Sequence, residues 1–156
     1  FGWGKPVEIN PRNFNRDISL SKAEAIVAAA GPIMEFIIAI VFEIISCCIM
    51  KFALSFYFTN AGIIVNSILS SIVITNLGLG IFNLIPLPPL DGSKVLGGFL
   101  PYNARNWMDS HSQIFEIIFI ALWIVGILSL IISPIITWAY NGLEYICASA
   151  FGLIMR

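Results

Sequence analysis

The sequence predicts an all-α fold: a polytopic membrane helix bundle of about three transmembrane helices, one of them broken at a proline-rich Asp-Gly motif. Three observations predict it. Of the 156 residues, 58% are apolar and only 11% are charged, against about 45–50% and about 25% in a soluble globular domain; mean hydropathy is +0.92. Three apolar runs are each long enough to cross a hydrocarbon core of about 30 Å. A proline cluster follows the second run and forbids its helix to continue. This composition excludes a disordered chain, a coiled coil and an ordinary soluble enzyme. A net charge of −1 gives no electrostatic footprint for nucleic acid, so no nucleic-acid partner is expected.

Residues 1–24 read as a juxtamembrane polar segment. Gly2, Gly4, Pro6 and Pro11 punctuate its backbone, and Phe1, Trp3 and Phe14 suit a membrane–water interface. Ser21 with Glu24 fits a capping box, which places a helix start near Lys22. The segment is neither a signal peptide nor a span, and Phe1 stands where an initiator Met would. The chain therefore reads as a piece that begins inside a longer frame.

Residues 25–136 read as the transmembrane domain. The first span is Ala25–Met50, with Glu35 and Glu43 inside it and Gly31-Pro32 as a kink or as the start of its buried part. Lys51–Asn60 connects it to the second span, Ala61–Leu87, whose apolar background carries Asn66, Thr75, Asn76 and Asn83. Residues 89–113 form a polar connection with a short helix from Gly92 to Phe99. The third span is Ile114–Ile136. Residues 137–156 form an apolar tail at the interface or against the bundle. Cys47, Cys48 and Cys147, an odd and partly vicinal set, read as small packing residues rather than as a disulfide or thiolate metal site.

Lysine and arginine set the orientation. With three spans, Lys5, Arg12, Arg16, Lys22, Lys94 and Arg105 fall on one side, and Lys51 and Arg156 on the other. This places the N-terminal segment and the Asp91 region on the cytoplasmic side.

Ionisable and amide side chains inside spans are expensive and face protein, a partner or water. Glu35 and Glu43, eight residues apart, lie about 80° apart around a helix and share one broad face. They read either as a polar cavity or as neutral carboxylates packed against another helix. Asn76 and Asn83, seven apart, project from nearly one face; with Gly78 and Gly80 close by, they suit helix–helix contact through their amides. In Asn83-Leu84-Ile85-Pro86-Leu87-Pro88-Pro89-Leu90-Asp91-Gly92, three prolines in four positions remove three backbone donors and push their predecessors toward extended geometry. Unwound backbone at that depth is tolerated only where protein buries it or water lines it. Asp91 then stands on a rigid segment beside a wet recess, where it suits metal ligation or proton transfer; a helix-capping Asp before a turn glycine reads equally well. The single histidine, His111, reads as an interfacial solvated side chain.

Three blocks of this sequence resemble the site-2 protease family, the intramembrane zinc metalloproteases, in its C-terminal half. They are Phe1-Gly2-Trp3-Gly4-Lys5-Pro6-Val7 through Asn10-Pro11-Arg12-Asn13-Phe14, then Ala30-Gly31-Pro32-Ile33-Met34, then Asn83-x-x-Pro86-x-Pro88-Pro89-Leu90-Asp91-Gly92-Ser93. The resemblance covers nearly the whole chain, and the third block is its most specific part. It implies zinc as cofactor in the complete protein, held by two histidines of a His-Glu-x-x-His helix and by the aspartate of the later block, with the glutamate as general base. Asp91 matches the third metal ligand. Asn83, Pro86, Pro88, Pro89 and Gly92 match the substrate cleft, with Asn83 holding substrate or orienting the site. Glu35 stands where the family's Gly-Pro-x-x-Asn pattern has its Asn; Glu35 and Asn76 are further candidate polar residues.

The sequence contains no His-Glu-x-x-His. Two zinc ligands and the general base are therefore absent from this chain, which is expected to supply one ligand and to be inactive alone. The implied activity of the complete protein is peptide-bond hydrolysis in or near transmembrane segments, in the cytoplasmic membrane of a prokaryote. The implied partners are membrane lipid, a transmembrane or membrane-proximal protein substrate, and a missing N-terminal half or partner chain. The alternatives are a non-catalytic relative that binds membrane helices, and a small transporter or channel subunit that uses Glu35, Glu43 and the Asn76/Asn83 face.

Overall fold

The structure is a computed structural model that describes residues 18–153. The first resemblance block, most of the juxtamembrane segment and Arg156 lie outside the described residues. In chain order the helices are α1 (Leu20–Phe52), α2 (Leu54–Tyr57), α3 (Asn60–Asn83), α4 (Asp91–Gly97), α5 (Tyr102–Ser110), α6 (Ser112–Ile124) and α7 (Ile127–Ala150). No strand occurs among the described residues. Three of the helices, α1, α3 and α7, are long and apolar enough to cross a membrane, as the all-α bundle requires.

At 33 residues, α1 is about 50 Å long and overruns a hydrocarbon core of about 30 Å. It starts at Leu20 with Ser19 in the cap position and no side-chain cap. The Ser21–Glu24 capping box does not form, and both residues lie inside the helix. Pro32 does not end the helix, which continues through it with the ring fully buried. Thr59 caps α3 by accepting from the Gly62 backbone N–H at 3.0 Å.

Small residues let the long helices approach. Gly80 of α3 sits against the Phe36 ring of α1. Ala39, Val73 and Leu77 form a buried cluster flanked by Phe36, Phe42, Tyr140 and Leu143. The pairs Phe36–Gly80 and Ser46–Asn66 run oppositely along α1 and α3, so these helices are antiparallel. Helix α7 runs parallel to α1: Glu43 faces Glu144, Cys47 faces Cys147, and Lys51 donates to the Phe151 carbonyl at 2.7 Å. Many large apolar side chains, such as Ile26, Ile33, Ile37, Ile64 and Leu130, are exposed on the outer faces, as lipid-facing residues are. Ser67 and Ser71 also lie outward, and their hydroxyls donate to the Ile63 and Ser67 carbonyls of their own helix at 2.8 and 2.7 Å. That bonding satisfies them without water.

The third span differs from expectation. The apolar run 114–136 is not one helix: α6 stops at Ile124, Gly126 takes a left-handed conformation (φ 82°), and α7 begins at Ile127. At 13 residues α6 is about 20 Å long, too short to span. The long helix includes most of the stretch expected to be an interfacial tail, with Pro134 inside it. The cause is local: glycine reaches φ > 0 without the Cβ clash that other residues meet. Phe119 of α6 then packs with Leu128 and Ile132 of α7 and with Leu90, flanked by Phe82 and Ile85.

Candidate functional site

The proline cluster ends α3 at Asn83, and α4 resumes at Asp91. The loop between them folds on itself. Leu87 N–H donates to the Ile85 carbonyl at 2.8 Å, and Leu90 N–H to the Leu87 carbonyl at 2.9 Å; the Pro88–Pro89 peptide is cis. Leu90, not Asp91, occupies the cap position of α4, and Asp91 lies in its first turn. The capping alternative for Asp91 is thereby set aside. Buried Ser93 ties the helix to the loop, its hydroxyl and backbone N–H both donating to the Leu90 carbonyl at 2.7 and 3.1 Å.

Gly92 is what lets the loop and α4 meet. A Cβ there would stand 2.3 Å from the Leu84 carbonyl oxygen and 2.5 Å from that of Ile85, well inside contact distance. The Asp-Gly pair therefore has a division of labour: the glycine permits close approach and the aspartate projects.

Helix α4 packs on the first part of α1. The Asp91 Oδ2 atom lies 3.7 Å from the position of a Cβ on Gly31, so the second and third resemblance blocks meet in space. A cleft of about 420 Å³ opens here, lined by Glu24, Val27, Ala28 and Gly31 of α1, Asp91 and Lys94 of α4, and Arg105 and Asp109 of α5. Arg105 is paired with Glu24 across the cleft and with Asp109 at 3.6 Å on its own helix.

Asp91 is the only expected site residue in the lining of this cleft. Asn83 lies on the α1–α3 contact, where its amide donates to the two carboxylate oxygens of Glu35 at 3.2 and 3.4 Å. Pro86 and Pro89 are exposed, and Pro88 is half-buried. Asn76 does not reach across a helix interface: its amide donates to the Ile72 carbonyl of its own helix at 2.8 Å. It lines a broad groove of about 520 Å³ along the outer face of α3, with Ser67, Ser71, Thr75 and isoleucines but no ionisable group. Glu43 is buried apart from the cleft, with the Cys47 thiol 3.9 Å from its Oε1. His111 stacks on Trp107 at 4.8 Å, outside the cleft.

Sequence reasoning missed Glu24, Lys94, Arg105 and Asp109 as cleft residues. Lys94 could have been found, since it falls one turn after Asp91 on a helical piece. The Arg105–Glu24 pair joins positions 81 apart and leaves no local signal.

Among the described residues, no group of three or more His, Cys, Asp and Glu side chains could hold a metal ion. Asp91 offers one carboxylate, where a zinc site needs about four ligands including water. The donors present do not by themselves make a zinc site.

Residues 7–127 match peptidase family M50. The chain is 27% identical over 152 residues to the Bacillus subtilis (strain 168) protein named "Putative zinc metalloprotease YwhC", across 97% of this chain and 67% of that protein. No solved structure matches the chain.

Proposed function

Since the chain belongs to peptidase family M50, the site-2 protease family, we propose that it is part of a membrane zinc metalloendopeptidase that hydrolyses peptide bonds in or near transmembrane segments. The observation that carries this reading is the placement of Asp91. It projects from the first turn of α4, directly behind the proline break, into a cleft against Gly31 of α1.

In this reading Asp91 is one zinc ligand, and the remaining protein ligands and the general base come from outside the described residues, from an upstream segment or a partner chain. Gly92 holds the loop against α4 so that Asp91 keeps its aim. Pro86, Pro88 and Pro89 keep the backbone before it unwound, beside the path of an extended substrate segment. Asn83 and Glu35 brace α3 against α1 behind that segment. The protein sits in the cytoplasmic membrane of a prokaryote as a multi-pass protein, with the Asp91 pole facing the cytoplasm.

The test is zinc stoichiometry with proteolysis. The 156-residue chain alone is expected to bind no stoichiometric zinc and to cut no transmembrane peptide. The complete protein is expected to do both, and Asp91→Ala in it to lower bound zinc and reduce cleavage at least about 100-fold, the scale for loss of an essential site group. Normal cleavage by Asp91→Ala would overturn the assignment; a complete protein that binds transmembrane peptides without cutting them would be a non-catalytic relative.

A further inference from the structure

The contact between α1 and α4 has two flanks, and the Asp91 cleft occupies one. Along the other runs a groove of about 350 Å³, lined by Ala25, Ile26 and Ala29 of α1 and by Val95, Gly98 and Phe99 at the end of α4. Its size falls within the range of ligand pockets. The groove is concave because small residues meet there. A Cβ on Gly98 would stand 2.5 Å from the Ala25 Cβ, so the missing side chain lets the end of α4 approach α1, and Ala29 fills little of the space beside that contact.

Lys22 also lines the groove and is its only ionisable residue among the described residues. It is exposed and forms no ion pair among the described residues. The rest of the lining is apolar, and a lysine lays its carbon stem along such a surface while its ammonium stays in water. The cleft on the other flank is different, because Glu24, Asp91 and Asp109 all line it.

Depth identifies the occupant. Helix α1, with 33 residues, exceeds a hydrocarbon core of about 30 Å by about 20 Å. Lys22 stands near its start and Lys51 near its end, and both reach water when the excess is shared. The edge of the core then falls about 10 Å into the helix, near Ile26. The groove therefore straddles that edge, with Ala29 inside the hydrocarbon and Lys22 among the headgroups. Phe99 and Tyr102, 83% and 79% exposed, follow α4 at the same level, as aromatics of a membrane–water interface do.

We propose that this groove is a binding site for one anionic phospholipid, with an acyl chain on Ala25, Ala29 and Val95 and the phosphate at Lys22. A zwitterionic lipid brings a cation of its own, which finds no carboxylate in the lining, so a net negative headgroup is preferred. The inference needs the membrane placement of α1 and not the protease reading.

To test it, the 156-residue chain in non-ionic detergent is titrated with phosphatidylglycerol or phosphatidylethanolamine and followed by native mass spectrometry. The first phosphatidylglycerol is expected to bind about fivefold tighter than the first phosphatidylethanolamine, the scale of one cation near a membrane surface. Lys22→Gln is expected to remove the difference and Lys22→Arg to keep it. Ala29→Phe, which fills the groove, is expected to abolish the first binding event. In the unsubstituted chain, phosphatidylglycerol with a diazirine on its acyl chain is expected to label residues 25–29 and 95–99.

Equal affinity for the two lipids, or a preference that survives Lys22→Gln, would overturn the proposal. Label spread evenly over the outer faces would do so too, since it marks ordinary solvating lipid. A lipid-free dimer broken by Ala29→Phe would assign the groove to a second copy of the chain, and displacement of the lipid by millimolar inorganic phosphate would assign Lys22 to the free anion; either result overturns the lipid site.

Discussion

Asn83 and Glu35, 48 residues apart in the chain, meet on the α1–α3 contact, with the amide nitrogen 3.2 and 3.4 Å from the two carboxylate oxygens. A carboxylate in an apolar span needs such a partner. Asn83→Ala leaves Glu35 unpaired and is expected to lower stability by about 1–3 kcal/mol, the cost of an unsatisfied acceptor shielded from water. Glu35→Gln keeps an oxygen for the Asn83 amide and is expected to lose less. Reversible unfolding of the purified protein in bicelles measures both, and an unchanged midpoint for Asn83→Ala would show that the contact holds nothing.

Gly92→Ala places a methyl group on two loop carbonyls. Neither is a flexible side-chain end, so the loop or α4 must move. A loss of about 1–3 kcal/mol is expected, the usual cost of overpacking, together with misplacement of Asp91. Unfolding in bicelles measures the first. The second appears as reduced cleavage by the complete protein when the folded fraction is held equal to that of the unsubstituted protein.

Gly126→Ala forces a Cβ into a left-handed conformation (φ 82°). The expected loss is about 1–2 kcal/mol, with no loss of a buried contact. Gly126→Asn is expected to recover part of it, because Asn tolerates that region better than Ala. Equal stability of the Ala and Gly forms would show that the α6–α7 junction takes another shape.

Arg105 and Glu24 form an ion pair with a quarter to a third of each side chain exposed. Their coupling in a double-mutant cycle is expected to be below about 1 kcal/mol, because water screens such a pair. The local effect should be larger. Helix α5 contains no buried residue, so Arg105→Ala is expected to speed limited proteolysis between α4 and α6, and Glu24→Ala added to it to change little more. Unchanged digestion would mean that other contacts hold α5.

Some of this was legible in the sequence and some was not, for physical reasons. The spans of α1 and α3 follow from unbroken apolar runs, and the break at Pro86–Pro89 follows from missing donors and ring clashes. Asp91 stood out because it directly follows that break, although spacing alone left a metal or proton role and a helix-capping role even. The α6–α7 boundary was hidden, because the run 114–136 is apolar throughout and hydropathy does not register that Gly126 adopts φ > 0. Pro134 lies inside α7 without ending it, since a helix can continue through a proline, as Pro32 also shows. The walls of the cleft were illegible because they join α1 to α5 across most of the chain. Asn76 and Asn83 looked equivalent by spacing; what separates them is that only Asn83 finds a polar group on the neighbouring helix.

The parallel course of α1 and α7 gives the molecule two unlike ends. Leu90, Leu128 and Ile132 gather near one, and the other is fastened by Lys51, whose ammonium sits 5.8 Å from the centres of the Phe52 and Phe151 rings while donating to the Phe151 carbonyl. Asp91 belongs to the first end and the exit of α7 to the second. A reporter fused downstream of Phe151 would therefore emerge remote from the cleft, and could be bulky without obstructing whatever enters there.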